Sequence, residues 1–384
     1  MMLLTAEGIR PTPTQFQDAE RTLLHQIEGT TAFWSGRAAT SLYQAYQLAR
    51  HRRPDVSQPQ VIVPAMMCAT AANTALLADV QPRFADVNAQ TGLATLSTIQ
   101  ARYTPQTIAV VVIHLLGHAV DIAPIAEWCK AYDLLLIEDG TQALGGRDLQ
   151  GYAIGTQGDV TVYSFNRTKI ISTGNGVLVA HDDDTAQDLT ALAKHITFPA
   201  VTDDMRLQLA LSYRNLHHAL VGLLRARAVP TEQVTQAFMA VRPAYQALYL
   251  RPADTTVDLN RPWENLPASL AHRLEMARLY AERLADHPAW DLLTDYEQSG
   301  VCWRFSLLLN DPQQQVSFSE AVRADGFHVS NLYWAVNPFF KADDECQNAD
   351  LFSRRIVNLW VDESVSTEYV ARCCDSILRH APSD

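Results

Sequence analysis

Leu134-Leu135-Leu136-Ile137-Glu138-Asp139-Gly140-Thr141-Gln142 is the stretch whose reading decides the fold. Four branched aliphatic residues are followed at once by two carboxylates and a glycine, with neither helical nor alternating period. A short apolar run bounded in this way reads as a strand buried on both faces. Upstream, residues 107–114 form a β-branched run and residues 122–132 a helical stretch. Further back stand strands at 60–64 and 81–87, a helix at 68–77, and helical character at 15–28 and 38–50. Downstream come strands at 159–165 and 176–180 and a helix starting near 183. Strands alternating with helices predict a mostly parallel sheet covered on both faces.

The pattern changes near residue 200. Helical stretches at 205–227 and 231–249 lead to a proline-bearing connection at 252–267. A helix (268–286), an apolar strand (301–309), a second helix (317–325) and a closing helix (366–379) follow. These patterns predict a large α/β domain over residues 1–250 and a smaller α+β domain over 251–384.

Composition narrows the function classes. The chain has 384 residues, 48% hydrophobic and 19% charged, and its formal net charge is −12. That balance is globular, and it disfavours non-specific nucleic-acid binding, which needs clustered cations. No apolar run approaches the roughly 20 residues of a spanning helix. The first residues carry no basic segment followed by an apolar one, so a cytoplasmic location is expected. Six cysteines without a CxxC pair are expected to be reduced thiols. His217 and His218 sit in a helical stretch without matching ligands, and no metal site is expected.

Three segments carry chemistry. The carboxylates of Glu138-Asp139 close a buried strand, and the carboxyl-terminal edge of a parallel sheet is where open α/β folds bind ligands. An acid there can pair with a protonated ring nitrogen. Next, the strand 159–165 ends at Ser164-Phe165, a short turn presents Lys169, and Gly174-Asn175-Gly176 returns the chain to a strand. A lysine amine forms an imine only when uncharged, and confinement near a cation such as Arg167 lowers its pKa. Finally, Ser35-Gly36-Arg37 stands at a helix start, where backbone N–H groups and the dipole favour phosphate. Glycine there would let a phosphate approach the chain. Taken singly, these are an ordinary strand end, a surface lysine and a helix cap. Together, in this order, they meet three separate requirements of pyridoxal phosphate.

The order and spacing resemble fold-type-I pyridoxal-phosphate enzymes, and more closely the DegT/DnrJ/EryC1/StrS family of sugar aminotransferases. The motifs carrying this likeness are Ser35-Gly36, Val61-Ile62-Val63-Pro64, His114-Leu115-Leu116-Gly117, Glu138-Asp139-Gly140-Thr141-Gln142, Ser164-Phe165 through Lys169, and Gly174-Asn175-Gly176. It is good over roughly residues 30–195 and looser beyond. The resemblance implies a Schiff base of the cofactor on Lys169, which would also move the substrate proton. It implies Asp139 on the pyridine nitrogen, Gln142 near the ring hydroxyl, and Ser35, Gly36 and Ser164 on the phosphate. Met66, Met67 and Cys68 occupy the region of the family's ring-stacking aromatic. His114 and Trp334 are candidate substrate contacts. A homodimer with a shared active site is implied as well.

The implied reaction moves an amino group from glutamate or glutamine to a keto group on a sugar, nucleotide-linked in particular, or on a cyclitol. The sequence also departs from the family pattern. Arg37 stands where a phosphate-binding threonine is usual, Leu144 replaces a histidine, and Ser212 or Asn215 would have to stand in for the asparagine that reaches the neighbouring subunit's phosphate. Two alternatives follow: a sugar dehydratase on the same cofactor, and a catalytically silent binding or regulatory protein. The family's dehydratases carry histidine in place of the lysine, and Lys169 speaks against that reading.

Overall fold

A computed structural model describes residues 16–195, 248–254, 256–340 and 344–382, with short pieces at Leu3–Leu4, Phe198–Pro199 and between 202 and 236. The helices expected at 205–227 and 231–249 lie mostly outside the described residues, as do Ser212, His217 and His218.

A seven-stranded sheet forms the centre. Its strands are β1 (Thr31–Ser35), β2 (Gln60–Pro64), β3 (Gln81–Ala85), β4 (Thr107–Ile113), β5 (Leu135–Asp139), β6 (Val160–Ser164) and β7 (Gly176–Ala180). The spatial order is β1-β7-β6-β5-β4-β2-β3, and only β7 runs antiparallel to its neighbours. Every residue of β4, β5, β6 and β7 is buried. This explains why these strands read as continuous apolar runs in the sequence. Helices α1 (Gln17–Gln26), α2 (Ala38–Arg52), α3 (Ala69–Leu77), α4 (Ala123–Ala131) and α5 (Asp183–Ala193) belong to the same part of the chain. Among them, α2 packs on β6, β7 and α3, burying Leu42, Ala45, Tyr46, Leu48 and Ala49.

A second, antiparallel sheet lies farther along the chain. It contains β8 (Trp290–Leu293), β9 (Phe305–Leu309), β10 (Val329–Ser330) and β11 (Ile356–Leu359), ordered β8-β9-β11-β10. It has its own core, in which Tyr280, Trp290, Phe305, Phe318 and Ile377 pack with Cys373 and Cys374. The long helix α6 (Leu266–Leu284) and the closing helix α9 (Thr367–Arg379) cover it, with α7 (Gln315–Ala324) and α8 (Gln347–Arg355) between them in sequence. The architecture is a large, mostly parallel sheet flanked by helices, followed by a smaller antiparallel sheet with helices and a core of its own.

Register places the strand ends that matter on one edge. Ile113 pairs with Asp139, while Ser35 and Ser164 both pair with Gly176 from its two sides. An acid, two hydroxyls and a glycine therefore line a single rim of the sheet.

Candidate active site

The two carboxylates that end β5 do different work, as successive strand residues point to opposite faces. Glu138 is fully buried. It accepts the Gly155 amide at 2.6 Å, the Gln157 and Gly158 amides at 3.0 Å each, and His114 Nε2 at 3.0 Å. Burial pushes its pKa up, but the His114 ring and the Gly155 and Gln157 amides outweigh that and hold it below the usual carboxylate range. Glu138 thus clamps the loop that enters β6.

Asp139 faces the site. Its Oδ1 accepts the Thr141 amide at 2.9 Å, and its backbone carbonyl accepts the His114 amide at 3.2 Å. Oδ2 makes no hydrogen bond among the described residues.

Lys169 is half-buried on the turn after β6. Its Nζ donates to Thr141 Oγ1 at 3.3 Å and sits 5.2 Å from the centre of the Trp303 ring. No carboxylate forms an ion pair with it among the described residues. Burial lowers its pKa first of all; Asp139 and Cys68 push it back up, and Arg304 adds to the lowering. Arg167, expected to supply that cation, is exposed, and Arg304 takes its place. Arg304 lies 135 residues beyond Lys169, a separation on the order of a whole domain, so spacing gave no signal for it.

Gln142 is buried and spans two elements: its Oε1 accepts the Leu116 amide at 2.7 Å and its Nε2 donates to Tyr333 Oη at 2.8 Å. Tyr333 and Trp303 both belong to the second sheet's part of the chain and both reach this site. Cys68 is exposed at the position preceding α3. Met66 and Met67 are buried in the main core, so of the three sulfur-bearing side chains only Cys68 is open to a ligand.

At the start of α2, Arg37 occupies the cap position without a side-chain cap bond. Its guanidinium lies 5.4 Å from the Tyr249 ring centre, and its Nε is buried with no hydrogen-bond partner among the described residues. Burial lowers its pKa. Gly176 lies so close that an added Cβ would stand 2.3 Å from Ala38 N.

Gly36 is engaged by the chain itself. Its amide donates to the Arg251 carbonyl at 2.9 Å, and an added Cβ would stand 2.4 Å from both Arg251 Cγ and the Pro252 oxygen. The close approach that glycine permits is by the chain itself. Ser35 is also drawn inward, with its Oγ donating to the Arg37 carbonyl at 2.9 Å and lying 2.9 Å from Ser41 Oγ. Ser164 remains at the rim, where its Oγ accepts the Asn166 amide at 3.4 Å.

Two further expectations meet the structure. His114 is closed off as a substrate contact, because its ring is fully buried, Nε2 meets Glu138 and Nδ1 accepts the Val120 amide at 3.2 Å. Trp334 is half-buried and packs against the main core, while its neighbour Tyr333 makes the contact with Gln142. Leu144 fills an apolar cluster with Trp34, Phe165 and Trp263.

The family model of the DegT/DnrJ/EryC1/StrS aminotransferases matches residues 30–222. A dTDP-4-dehydro-2,3,6-trideoxy-D-glucose 4-aminotransferase of Saccharopolyspora spinosa is 35% identical over 326 residues, 83% of this chain and 77% of that enzyme. The chain belongs to the DegT/DnrJ/EryC1/StrS aminotransferase family. The GDP-perosamine synthase of Escherichia coli O157:H7 is 34% identical over 129 residues, and that match spans only 35% of its length. Among solved structures, NtdA of Bacillus subtilis with bound cofactor PMP superposes with a TM-score of 0.70 at 16% identity, over 97% of this chain and 78% of that one. Its likeness concerns the fold. Among the described residues, no helix is long and apolar enough to cross a membrane, and no cluster of three metal-ligating side chains occurs.

Proposed function

We propose that this protein is a pyridoxal-phosphate-dependent aminotransferase that moves an amino group from glutamate or glutamine to a keto group of a sugar, nucleotide-linked in particular, or of a cyclitol. The observation that carries the reading is the state of Lys169. Its amine is confined against Trp303, bonded among the described residues only to the Thr141 hydroxyl, and lowered in pKa by burial. A lysine held this way favours the neutral, nucleophilic amine.

The residues present fit pyridoxal phosphate. Asp139, whose Oδ2 is unengaged among the described residues, would hold the pyridine nitrogen, Gln142 would lie near the ring hydroxyl, and Cys68 would sit against the ring face. Arg37, whose buried Nε lacks a partner among the described residues, would hold the phosphate with Ser164 and the uncapped start of α2. When bound, pyridoxal phosphate supplies an electron sink for the carbanion at the amino-bearing carbon. Lys169 Nζ would carry the proton away from that carbon and return it on the acceptor side. Trp303 and Tyr333 would exclude water from the amine.

The named activity of the Saccharopolyspora relative supports a sugar as acceptor. By the same family likeness we propose a cytoplasmic homodimer, which sedimentation of the cofactor-loaded protein would test. The reaction is tested with ¹⁵N-labelled glutamate or glutamine, pyridoxal phosphate and a panel of nucleotide-linked keto-sugars and keto-cyclitols. Label appearing in an aminated sugar or cyclitol supports the proposal. Loss of water without nitrogen transfer, or no turnover of any donor, contradicts it.

A further inference from the structure

We propose that Tyr333 is a positioning residue for the cofactor: together with the Leu116 amide it fixes the side-chain amide of Gln142, so that an N–H of Gln142 faces the cofactor's ring hydroxyl. The inference rests on the pyridoxal-phosphate reading above and extends it to a residue 191 positions beyond Gln142.

Gln142 is held at both ends of its amide. Its Oε1 accepts the Leu116 amide at 2.7 Å, a bond that only the oxygen can make, so Nε2 is the atom turned toward Tyr333. The torsion that turns a glutamine amide is broad, and one bond at the oxygen would leave the amide plane free to rotate. The second bond, from Nε2 to Tyr333 Oη at 2.8 Å, removes that freedom. It uses one of the two amide hydrogens, and the other meets no acceptor among the described residues. That second hydrogen is the one left for a ligand.

Tyr333 is itself placed from three sides. Its chain segment is joined to the one that follows β2, where Val336 N donates to the Ala65 carbonyl at 2.9 Å and Ala335 bridges to Met66. Its ring meets Trp303 edge-on, with ring centres 6.4 Å apart. Its hydroxyl receives Gln142. Burial pushes the Tyr333 pKa up, with the Gln142 bond opposing, so near neutral pH the group is an uncharged hydroxyl.

Position ties this bond to the reacting amine. The Trp303 ring beside Tyr333 is the ring that Lys169 Nζ approaches at 5.2 Å, and Thr141, which accepts from Nζ, is the residue before Gln142. An N–H held against a ring hydroxyl favours its ionised form. The contribution of Tyr333 therefore passes through Gln142 to one atom of the cofactor, and it vanishes when that atom is missing.

The test compares pyridoxal phosphate with 3-deoxypyridoxal phosphate, which lacks only the ring hydroxyl, by quenching of tryptophan fluorescence. Wild type is expected to prefer pyridoxal phosphate. Tyr333→Phe keeps the ring against Trp303 and should weaken pyridoxal phosphate by about 3- to 10-fold, the worth of one hydrogen bond, and the analogue by less than about 2-fold. Gln142→Met keeps the side-chain length without the amide and should shrink the preference, and adding Tyr333→Phe to it should change neither ligand further. Equal weakening of both ligands in Tyr333→Phe, as a general loosening of the fold would give, overturns the inference. So does an unchanged preference in Gln142→Met, whether or not the Tyr333 variant folds. The readings fail separately. Equal losses with pyridoxal phosphate still bound sink Tyr333 alone, failure of wild type to bind either ligand sinks the cofactor reading as well, and the expected pattern without nitrogen transfer sinks the aminotransferase reading alone.

Discussion

Trp303 donates its indole N–H to the carbonyl oxygen of Thr168 at 2.7 Å, binding the second sheet's part of the chain to the residue just before Lys169. Thr168 has φ +73°, a left-handed conformation in which a β-branched residue is a genuine outlier. That conformation costs about 1–2 kcal/mol, and it is part of the turn that aims Lys169. Thr168→Asn, which tolerates the conformation, is expected to raise stability by about 1 kcal/mol in urea unfolding. Trp303→Phe keeps the ring and loses the donor, and should lower stability by about 1 kcal/mol. A destabilised Thr168→Asn variant would contradict the claim that the turn is held under strain.

Glu138 predicts how stability depends on pH. Its folded-state pKa lies below the ordinary value of about 4.3. The stability it contributes is therefore fully present above that value and is lost as pH falls through the folded-state pKa. Glu138→Gln should cost about 3 kcal/mol near neutral pH, because a buried amide nitrogen would face backbone donors. Its unfolding free energy should also fall less steeply than that of wild type below about pH 4. Parallel acid limbs in wild type and variant would contradict this.

Gly176→Ala tests the start of α2. The new Cβ would meet Ala38 N at 2.3 Å and the Arg37 carbonyl carbon at 2.5 Å, both backbone atoms that cannot rotate away. The expected cost is about 1–3 kcal/mol, as for other overpacked sites. Pyridoxal-phosphate affinity, followed by fluorescence quenching, should fall by about 10-fold or more. Unchanged affinity in a folded variant would remove α2 from the phosphate site.

Much of the architecture was legible because β4, β5, β6 and β7 are buried along their whole length, so each appears as an apolar run with polar or glycine ends. The positions of Asp139 at the end of β5 and of Lys169 in the turn after β6 were legible for the same reason, since the apolar runs stop at or just before them. The roles of Glu138 and His114 were not, because the sequence does not say which of two adjacent carboxylates faces inward. The neighbours of Gly36 were not legible, because a glycine at a helix start has the same local signature whatever approaches it, and here Arg251 and Pro252 do. Trp303, Arg304 and Tyr333 lie more than a hundred residues beyond Lys169, and only the packing of the second sheet's segment against the first brings them to the amine.

The central claim is that Lys169 carries the cofactor, and the chain offers four lysines to choose among: Lys130, Lys169, Lys194 and Lys341. The direct measurement is borohydride reduction of the protein after incubation with pyridoxal phosphate, followed by peptide mass mapping. The account predicts one pyridoxyl group per chain, on Lys169, and none in Lys169→Ala at the same cofactor concentration. Label on Lys130, Lys194 or Lys341 in preference to Lys169, or no label at all, would contradict it.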